Sequence, residues 1–229
     1  MKQNDKERWE KLKDIWKIID RLRSESGCPW DRRQTPETIQ TYLLEEAHEG
    51  AAAVRAGKPR EVAEELGDVL FMVFFLAYLY EERGDFSLDE VCDLISAKMI
   101  RRHPHVFGET SVGSAEEVKD NWEKIKAEEK NESGRKAEPV PETLPALIRA
   151  YRIVSRIARK ENGTWNDVEK RAIDFSRKAR EFADAMGSGK QASAESVGDL
   201  FLDLVNLSRI AGLRPEDCLH QVLRKIERD

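Results

Sequence analysis

Five carboxylates with helical spacing lie in the first half of the chain. Glu45, Glu46 and Glu49 fall within about one turn of a helix. Glu65 and Asp68 are three residues apart on the next segment. Side chains three and four residues apart share one face of a helix, so each group projects its carboxylates to one side. Clustered carboxylates are ligands for Mg2+, which also holds phosphate oxygens. The spacing therefore favours a Mg2+ site, with Mn2+ as a possible substitute.

The same acidic residues have two other interpretations. A solvated acidic helix face is the commonest fate of such runs, although here apolar residues directly precede Glu45 and the most apolar segment, residues 69–80, follows Asp68. A di-iron carboxylate bundle uses a Glu-x-x-His element twice. Glu45-x-x-His48 fits that element once, but the second acidic pair ends in Asp68. The Mg2+ interpretation accounts for more of the pattern than the di-iron one.

A basic group follows the acidic one. Lys98, Arg101 and Arg102 end a predicted helix, and Trp122 and Lys126 lie one turn apart on the next. Cations at a helix end also suit the helix dipole, and this is the simpler explanation. In the alternative, Arg102 and the two lysines neutralise a polyphosphate. Trp122 would add an aromatic face beside Lys126.

Helix signals recur along the whole chain, whereas strand signals do not. Predicted helices cover residues 9–22, 35–55, 59–82, 87–102, 114–130, 144–160, 167–186, 192–210 and 215–228. Thr35-Pro36 is typical of a helix start, and Ser87 and Ser114 each precede a Glu by three residues, as in a capping box. The short connection at residues 57–59 predicts that the two acidic helices run antiparallel.

The polar segment 133–142, which contains Gly134, Pro139 and Pro141, is predicted to link two domains. We expect a catalytic helical domain at residues 1–132 and a second helical domain at residues 143–229.

Composition excludes several classes of protein. A net charge of −5 gives no basic field for nucleic acid. The longest apolar stretch is shorter than the ~20 residues that span a bilayer. Three distant cysteines and the pair His103 and His105 around Pro104 suggest neither a disulfide framework nor a zinc site. The polar N-terminus is unlike a signal peptide, so we expect a cytoplasmic protein without membrane or nucleic-acid partners.

The two halves of the chain have similar local patterns. Gly67-Asp68 precedes an apolar run, as does Gly198-Asp199, and a Trp precedes each corresponding long helix. Amphipathic helices can resemble one another by chance, but the shared order of these features favours a duplication.

Taken together, these motifs resemble those of the MazG family of nucleoside triphosphate pyrophosphohydrolases. The Glu45-Glu46-x-x-Glu49 and Glu65-x-x-Asp68 groups match its acidic signature. Further motifs in the same order are Gly27-Cys28-Pro29-Trp30-Asp31, the run from Arg101 to Phe107, the run from Trp122 to Lys126, and Leu144-Pro145-Ala146-Leu147. A lone acidic motif is weak, whereas this ordered set is a strong signal, and the resemblance covers nearly the whole chain.

The resemblance implies tandem all-α, four-helix-bundle-like domains that form a homodimer. It implies Mg2+-dependent hydrolysis of nucleoside triphosphates to monophosphate and pyrophosphate. Carried over by position, Glu46, Glu49, Glu65 and Asp68 would hold the metal, Glu45 would activate water, Lys98, Arg102 and Lys126 would contact the triphosphate, and Trp122 would lie near the nucleotide. The alternative is a non-catalytic nucleotide-sensing or scaffold helical dimer.

The second repeat departs from this pattern. When Gly198-Asp199 is aligned with Gly67-Asp68, Arg177-Lys178 replaces the paired glutamates and Ser196 replaces Glu65. Only Glu181 and Asp199 remain of the five acids. Two cations would therefore lie where the metal belongs, and we expect this half to be non-catalytic and retained for dimerisation or stability.

Overall fold

The structure is a computed structural model that describes residues 3–132, 139–161, 163–189 and 193–227. Every regular element in these ranges is a helix, which confirms the all-helical prediction. The chain divides into two compact units, Met1–Ser133 and Gly134–Asp229. Residues 133–138 of the predicted linker lie outside the described ranges.

The first unit contains six α-helices among its described residues. They are α1 (Gln3–Arg23), α2 (Pro36–Ala56), α3 (Pro59–Glu82), α4 (Leu88–Arg102), α5 (Pro104–Phe107) and α6 (Ala115–Glu132). A single 3-10 turn, Asp31–Arg33, precedes α2. The sequence did not predict this turn or α5. The predicted break at residues 103–105 does end α4, but one further helical turn follows it.

The predicted helix starts are observed as side-chain caps. The Thr35 hydroxyl accepts a hydrogen bond from the Thr38 backbone N–H, and Pro36 occupies the first turn of α2. Ser87 accepts from the N–H of Glu90 at the start of α4. Each cap satisfies an N–H that lacks a partner within its helix, and replacement of such a cap by Ala typically costs about 1 kcal/mol.

The core of the first unit lies where α3 packs against α1 and α2. Ile19, Ile39, Phe75 and Leu79 form its buried centre. Trp16 of α1 packs on the aromatic rings of α3 around this centre. Burial of such side chains stabilises a fold by about 1.5–3 kcal/mol each, so the apolar half of α3 anchors the unit. The acidic half of the same helix lies towards its beginning.

The loop between α1 and α2 is fixed by one buried arginine. Arg23 donates to the backbone oxygen of Asp31 at 2.7 Å and to the Glu82 carboxylate at 2.7 Å. Gly27 allows the loop to turn tightly, because a Cβ there would lie 2.2 Å from the Leu22 oxygen. These contacts set where α2 begins, and hence where its carboxylates lie.

The second unit contains four helices among its described residues, α7 (Ala146–Lys160), α8 (Val168–Gly187), α9 (Ala194–Ile210) and α10 (Pro215–Ile226). α9 packs against the other three helices. Asn206 is fully buried and donates to the Trp165 carbonyl, which also accepts from Arg209. The predicted ends at residues 192 and 228 lie outside the described ranges.

Large apolar side chains of the first unit remain exposed on several helices. Leu44 of α2, Leu66 of α3 and Leu94 and Ile95 of α4 are examples. Exposed apolar side chains that form a patch commonly mark interfaces. None of the described helices combines the length and the apolar character that a bilayer crossing requires.

Candidate metal and phosphate site

The connection between α2 and α3 brings the predicted acidic groups together. Only Gly57 and Lys58 separate the two helices, and Gly57 ends α2 at φ +68°, in the left-handed region that favours glycine. Buried Gly50 allows close packing beside the acidic residues, since a Cβ there would lie 3.5 Å from the Cβ of Glu65. The two helices therefore face each other along their acidic segments.

Three carboxylates converge across this helix pair. One carboxylate oxygen from each of Glu46, Glu49 and Glu65 lies within 4.8 Å of the other two. Glu46 and Glu65 are half-buried, whereas Glu49 is exposed. The neighbouring charges that act most on Glu46 and Glu65 are those of other carboxylates. The cluster thus concentrates negative charge at the edge of the core.

The charge of the cluster perturbs the pKa of two of its members. Burial, followed by the charges of Asp68 and Glu49, raises the pKa of Glu46 above its ordinary value. Burial, followed by Glu49 and Asp68, raises the pKa of Glu65. Asp68 is therefore electrostatically part of the cluster. Exposed Glu45 adds a smaller repulsion to Glu46.

The geometry of the cluster fits a small divalent cation. Octahedral Mg2+ with oxygens at about 2.1 Å holds neighbouring ligands about 3 Å apart and opposite ligands about 4.2 Å apart. Oxygens within 4.8 Å of one another are close to these separations. The raised pKa values point the same way, because a bound cation offsets the burial and the repulsion that cause them. Glu46, Glu49, Glu65 and Asp68 could hold the ion.

The predicted basic residues meet at the contact between α4 and α6. The guanidinium carbon of Arg102 lies 5.5 Å from the Trp122 ring centroid, and the Lys126 Nζ lies 5.7 Å from the same centroid. The Trp122 Nε1 is buried and has no hydrogen-bond acceptor among the described residues. Lys98, one turn before Arg102 on α4, is half-buried. The structure thus brings Arg102, Trp122 and Lys126 together.

Glu129 of α6 is a member of this basic group that sequence reasoning missed. Its carboxylate accepts from the Arg102 Nη2 at 2.6 Å and from the Arg101 Nε at 2.6 Å. Hydrogen bonding from Arg102, and then from Arg101, lowers the pKa of Glu129 to about 2, against the opposing effect of burial. Its spacing of 27 residues from Arg102 carries no local signal. Glu129 follows Lys126 by three residues on a polar helix face, and only that proximity hints at a role.

The acidic and basic groups occupy different helix pairs. Within the described residues neither α4 nor α6 packs against α2, and α6 does not pack against α3. α4 packs against both α3 and α6. The structure therefore assembles two groups of opposite charge on different helix pairs of one unit, and the contact between α3 and α4 joins the two pairs.

Comparison with known proteins identifies relatives of this chain. Residues 34–107 match the MazG nucleotide pyrophosphohydrolase domain. A nucleoside triphosphate pyrophosphohydrolase of Escherichia coli (strain K12) is 37% identical over 220 residues, covering 92% of this chain and 82% of the relative. A nucleoside triphosphate pyrophosphohydrolase/pyrophosphatase MazG of Thermotoga maritima is 38% identical over 216 residues, covering 93% and 82%.

A solved structure was also found. The crystal structure of a mazG-related protein from Thermotoga maritima aligns with a TM-score of 0.44 and 28% identity, covering 50% of this chain and 98% of that one. The sequence matches extend through the acidic helices and over most of both units. By its sequence, this chain belongs to the MazG family of nucleotide pyrophosphohydrolases.

Proposed function

We propose that the protein hydrolyses nucleoside triphosphates to nucleoside monophosphate and pyrophosphate, using Mg2+ held by the first unit. The observation that carries this proposal is the convergence of Glu46, Glu49 and Glu65 within 4.8 Å, with raised pKa values for two of them. Membership of a pyrophosphohydrolase family supports the same reaction class. Mn2+ has similar oxygen preference and would substitute.

The carboxylates have two roles in this proposal. Glu46, Glu49, Glu65 and Asp68 hold the cation, which when bound neutralises charge on the phosphates and orients the attacking water. Glu45 is exposed beside Glu46 on α2, outside the converging trio. It takes the proton from the water that attacks the α-phosphorus, while the bond to the β-phosphate oxygen breaks and pyrophosphate leaves.

The basic group stabilises the leaving pyrophosphate. Lys98, Arg102 and Lys126 supply positive charge to its oxygens, an electrostatic contribution often worth about 3–4 kcal/mol for a single well-placed donor. The Trp122 ring contacts both Arg102 and Lys126. In this proposal the ring borders the nucleotide. Because Arg102 is bonded to Glu129, a phosphate that binds Arg102 shares or displaces that carboxylate.

A homodimer would cover the exposed apolar surface of the first unit. Leu44, Leu66, Leu94 and Ile95 stay exposed in the single chain. Light scattering on the purified chain tests this state, and a monomer at all concentrations would contradict it. The second unit is assigned a non-catalytic, stabilising role. The cytoplasmic location and the lack of nucleic-acid or membrane partners remain predictions.

The test of the proposed function is product analysis with a panel of canonical and modified nucleoside triphosphates. Each is incubated with the full chain in Mg2+, in Mn2+ and in EDTA, and the products are separated by ion-exchange chromatography. Equal amounts of monophosphate and pyrophosphate, formed only with a divalent cation, are expected. Release of diphosphate and inorganic phosphate would contradict the proposed bond cleavage. Nucleotide binding without turnover would support the sensing or scaffold alternative.

A further inference from the structure

In the second unit, the helix pair α8–α9 corresponds to the acidic pair α2–α3 and holds a lysine ammonium between its helices. The Lys178 Nζ of α8 lies 2.7 Å from the Asp203 Oδ2 and 3.8 Å from the Asp199 Oδ2, both on α9. Alignment of Gly198-Asp199 with Gly67-Asp68 places Asp199 at the position of Asp68, and Lys178 corresponds to Glu46 when a one-residue gap is placed between α8 and α9. A residue corresponding to a proposed metal ligand is thus an ammonium held by two carboxylates of the facing helix.

The neighbouring charges of α8 are also compensated. Arg177, at the position of Glu45, donates to both oxygens of Glu181 at 2.9 and 3.1 Å. The side chain of Asp203 is 7% exposed and that of Lys178 is 30% exposed. The buried Asp203 is bonded to Lys178, and loss of this bond is costly because an unpaired buried carboxylate is strongly unfavourable.

Two interpretations of the Lys178 salt bridge differ in how the surrounding carboxylates are arranged. In one it is a simple packing contact, and in the other the ammonium replaces a metal ion. If the salt bridge is only a packing contact, the two aspartates are not arranged as ligands of one metal ion. A carboxylate in place of the lysine would then only add repulsion. A cation replacement leaves the remaining carboxylates arranged around a shared centre. In that case a carboxylate at the same position would complete a divalent-cation site with Asp199 and Asp203.

We propose that the Lys178 ammonium takes the place of a divalent cation in the second unit. It bridges α8 and α9 through Asp199 and Asp203, so this helix pair folds and persists without metal. The substitution Lys178→Glu converts the same place into a divalent-cation site. This inference rests on the metal site proposed for the first unit, whereas its test is read from α8 and α9 alone.

The experiment compares Lys178→Glu with Lys178→Gln in the full chain. Both carry Glu46→Gln, which weakens metal binding at the first cluster and so lowers its contribution to the signal. Both variants lose the ammonium, but only Lys178→Glu gains a ligand. Lys178→Arg, which keeps the positive charge, is the matched control. Each is refolded and melted in EDTA and in millimolar MnCl2 or MgCl2, and hydrogen exchange is followed over α8 and α9.

In EDTA, both charge-removing variants should unfold at a lower temperature than Lys178→Arg. MnCl2 should restore the midpoint and the exchange protection of α8 and α9 only in Lys178→Glu, which should bind one more Mn2+ per chain than Lys178→Gln by electron paramagnetic resonance. If Lys178→Glu folds only with MnCl2, the proposal is supported equally. Equal ion counts, no rescue, or failure to fold in either buffer while Lys178→Gln folds would overturn it.

Discussion

The pKa values of the carboxyl groups are shifted in opposite directions at the acidic pair α2–α3 and at the basic contact α4–α6. Burial and neighbouring carboxylates raise the pKa of Glu46 and Glu65. Two arginines lower the pKa of Glu129 to about 2. An incoming cation therefore relieves an existing repulsion at the acidic pair, whereas an incoming phosphate meets an arginine that already has a carboxylate partner. In the proposed function, this difference separates a site that takes up an ion from a site that exchanges one anion for another.

The largest expected effect is on catalysis, through the acidic pair. Glu46→Gln and Asp68→Asn should each lower pyrophosphate release by at least about 100-fold, because metal-held charge is worth several kcal/mol and about 1.4 kcal/mol is a factor of ten. Glu64→Gln is the matched control, since Glu64 lies on the same helix outside the converging trio. Helical circular dichroism should not change. Undiminished turnover in either cluster variant would remove the acidic pair from the mechanism.

The next largest effect is on stability, through the basic contact. The Glu129 side chain is 16% exposed and that of Arg102 is 15% exposed, so their ion pair is largely shielded from water. Glu129→Gln should lower the free energy of unfolding by about 1–3 kcal/mol, since it leaves two guanidinium groups without their carboxylate. Urea denaturation measures this change. Glu128→Gln is the adjacent exposed control and should behave as the parent chain.

The pH dependence of the Glu129 contribution has a defined direction. The pKa of this group is lowered by folding, so its stabilisation is present above the ordinary value of 4.5 and is lost as pH falls towards about 2. Glu129→Gln should therefore flatten this part of the stability curve. A slope that stays the same in the variant would show that other carboxyl groups cause the acid sensitivity.

A smaller effect of opposite sign is expected at the acidic pair. Folding raises the pKa of Glu46 and Glu65, so in EDTA their contribution lowers the free energy of unfolding as pH rises from 4.5 through the raised values. Mg2+ should cancel this loss, because it stabilises the ionised carboxylates. Thermal melts with EDTA or MgCl2 across this range measure both slopes. Identical slopes in the two buffers would indicate that no cation binds the cluster.

Local signals in the sequence were sufficient for the longer helices and for the pairing of the two acidic helices. Thr35 and Ser87 predicted helix starts through side-chain caps that are a property of a few adjacent residues. The carboxylates on α2 and α3 could be paired because a two-residue connection leaves little freedom in how the helices meet. Spacing within a helix and the length of a short loop are both readable without knowledge of the tertiary fold.

Ion-pair partners that are brought together by tertiary packing could not be predicted from the sequence. Glu129 lies 27 residues from Arg102, and one of many acidic residues on a polar helix gives no sign of that pairing. Asp203 likewise stands outside the acidic signature, so its bond to Lys178 could not be anticipated, although the cation itself was expected near Asp199. Both pairs join separate helices, and their geometry follows from how the helices pack.

The smallest expected effect concerns Trp122, which belongs to the basic group without carrying charge. Trp122→Phe keeps an aromatic face for Arg102 and Lys126 while weakening cation–π attraction that is worth about 0.5–1 kcal/mol at partly exposed sites. It also removes a buried N–H without an acceptor among the described residues, which offsets part of that loss. Stability by urea denaturation should therefore change by less than about 1 kcal/mol.

The Michaelis constant then distinguishes two roles for this ring. If Trp122 borders the nucleotide, Trp122→Phe should raise KM several-fold with kcat nearly unchanged, because binding is weakened equally in the ground and transition states. Phe107→Leu, at an exposed aromatic residue outside α4 and α6, is the control and should leave KM as in the parent chain. An unchanged KM in Trp122→Phe would restrict the ring to packing between two cations. The basic contact would then meet the substrate through its charges alone.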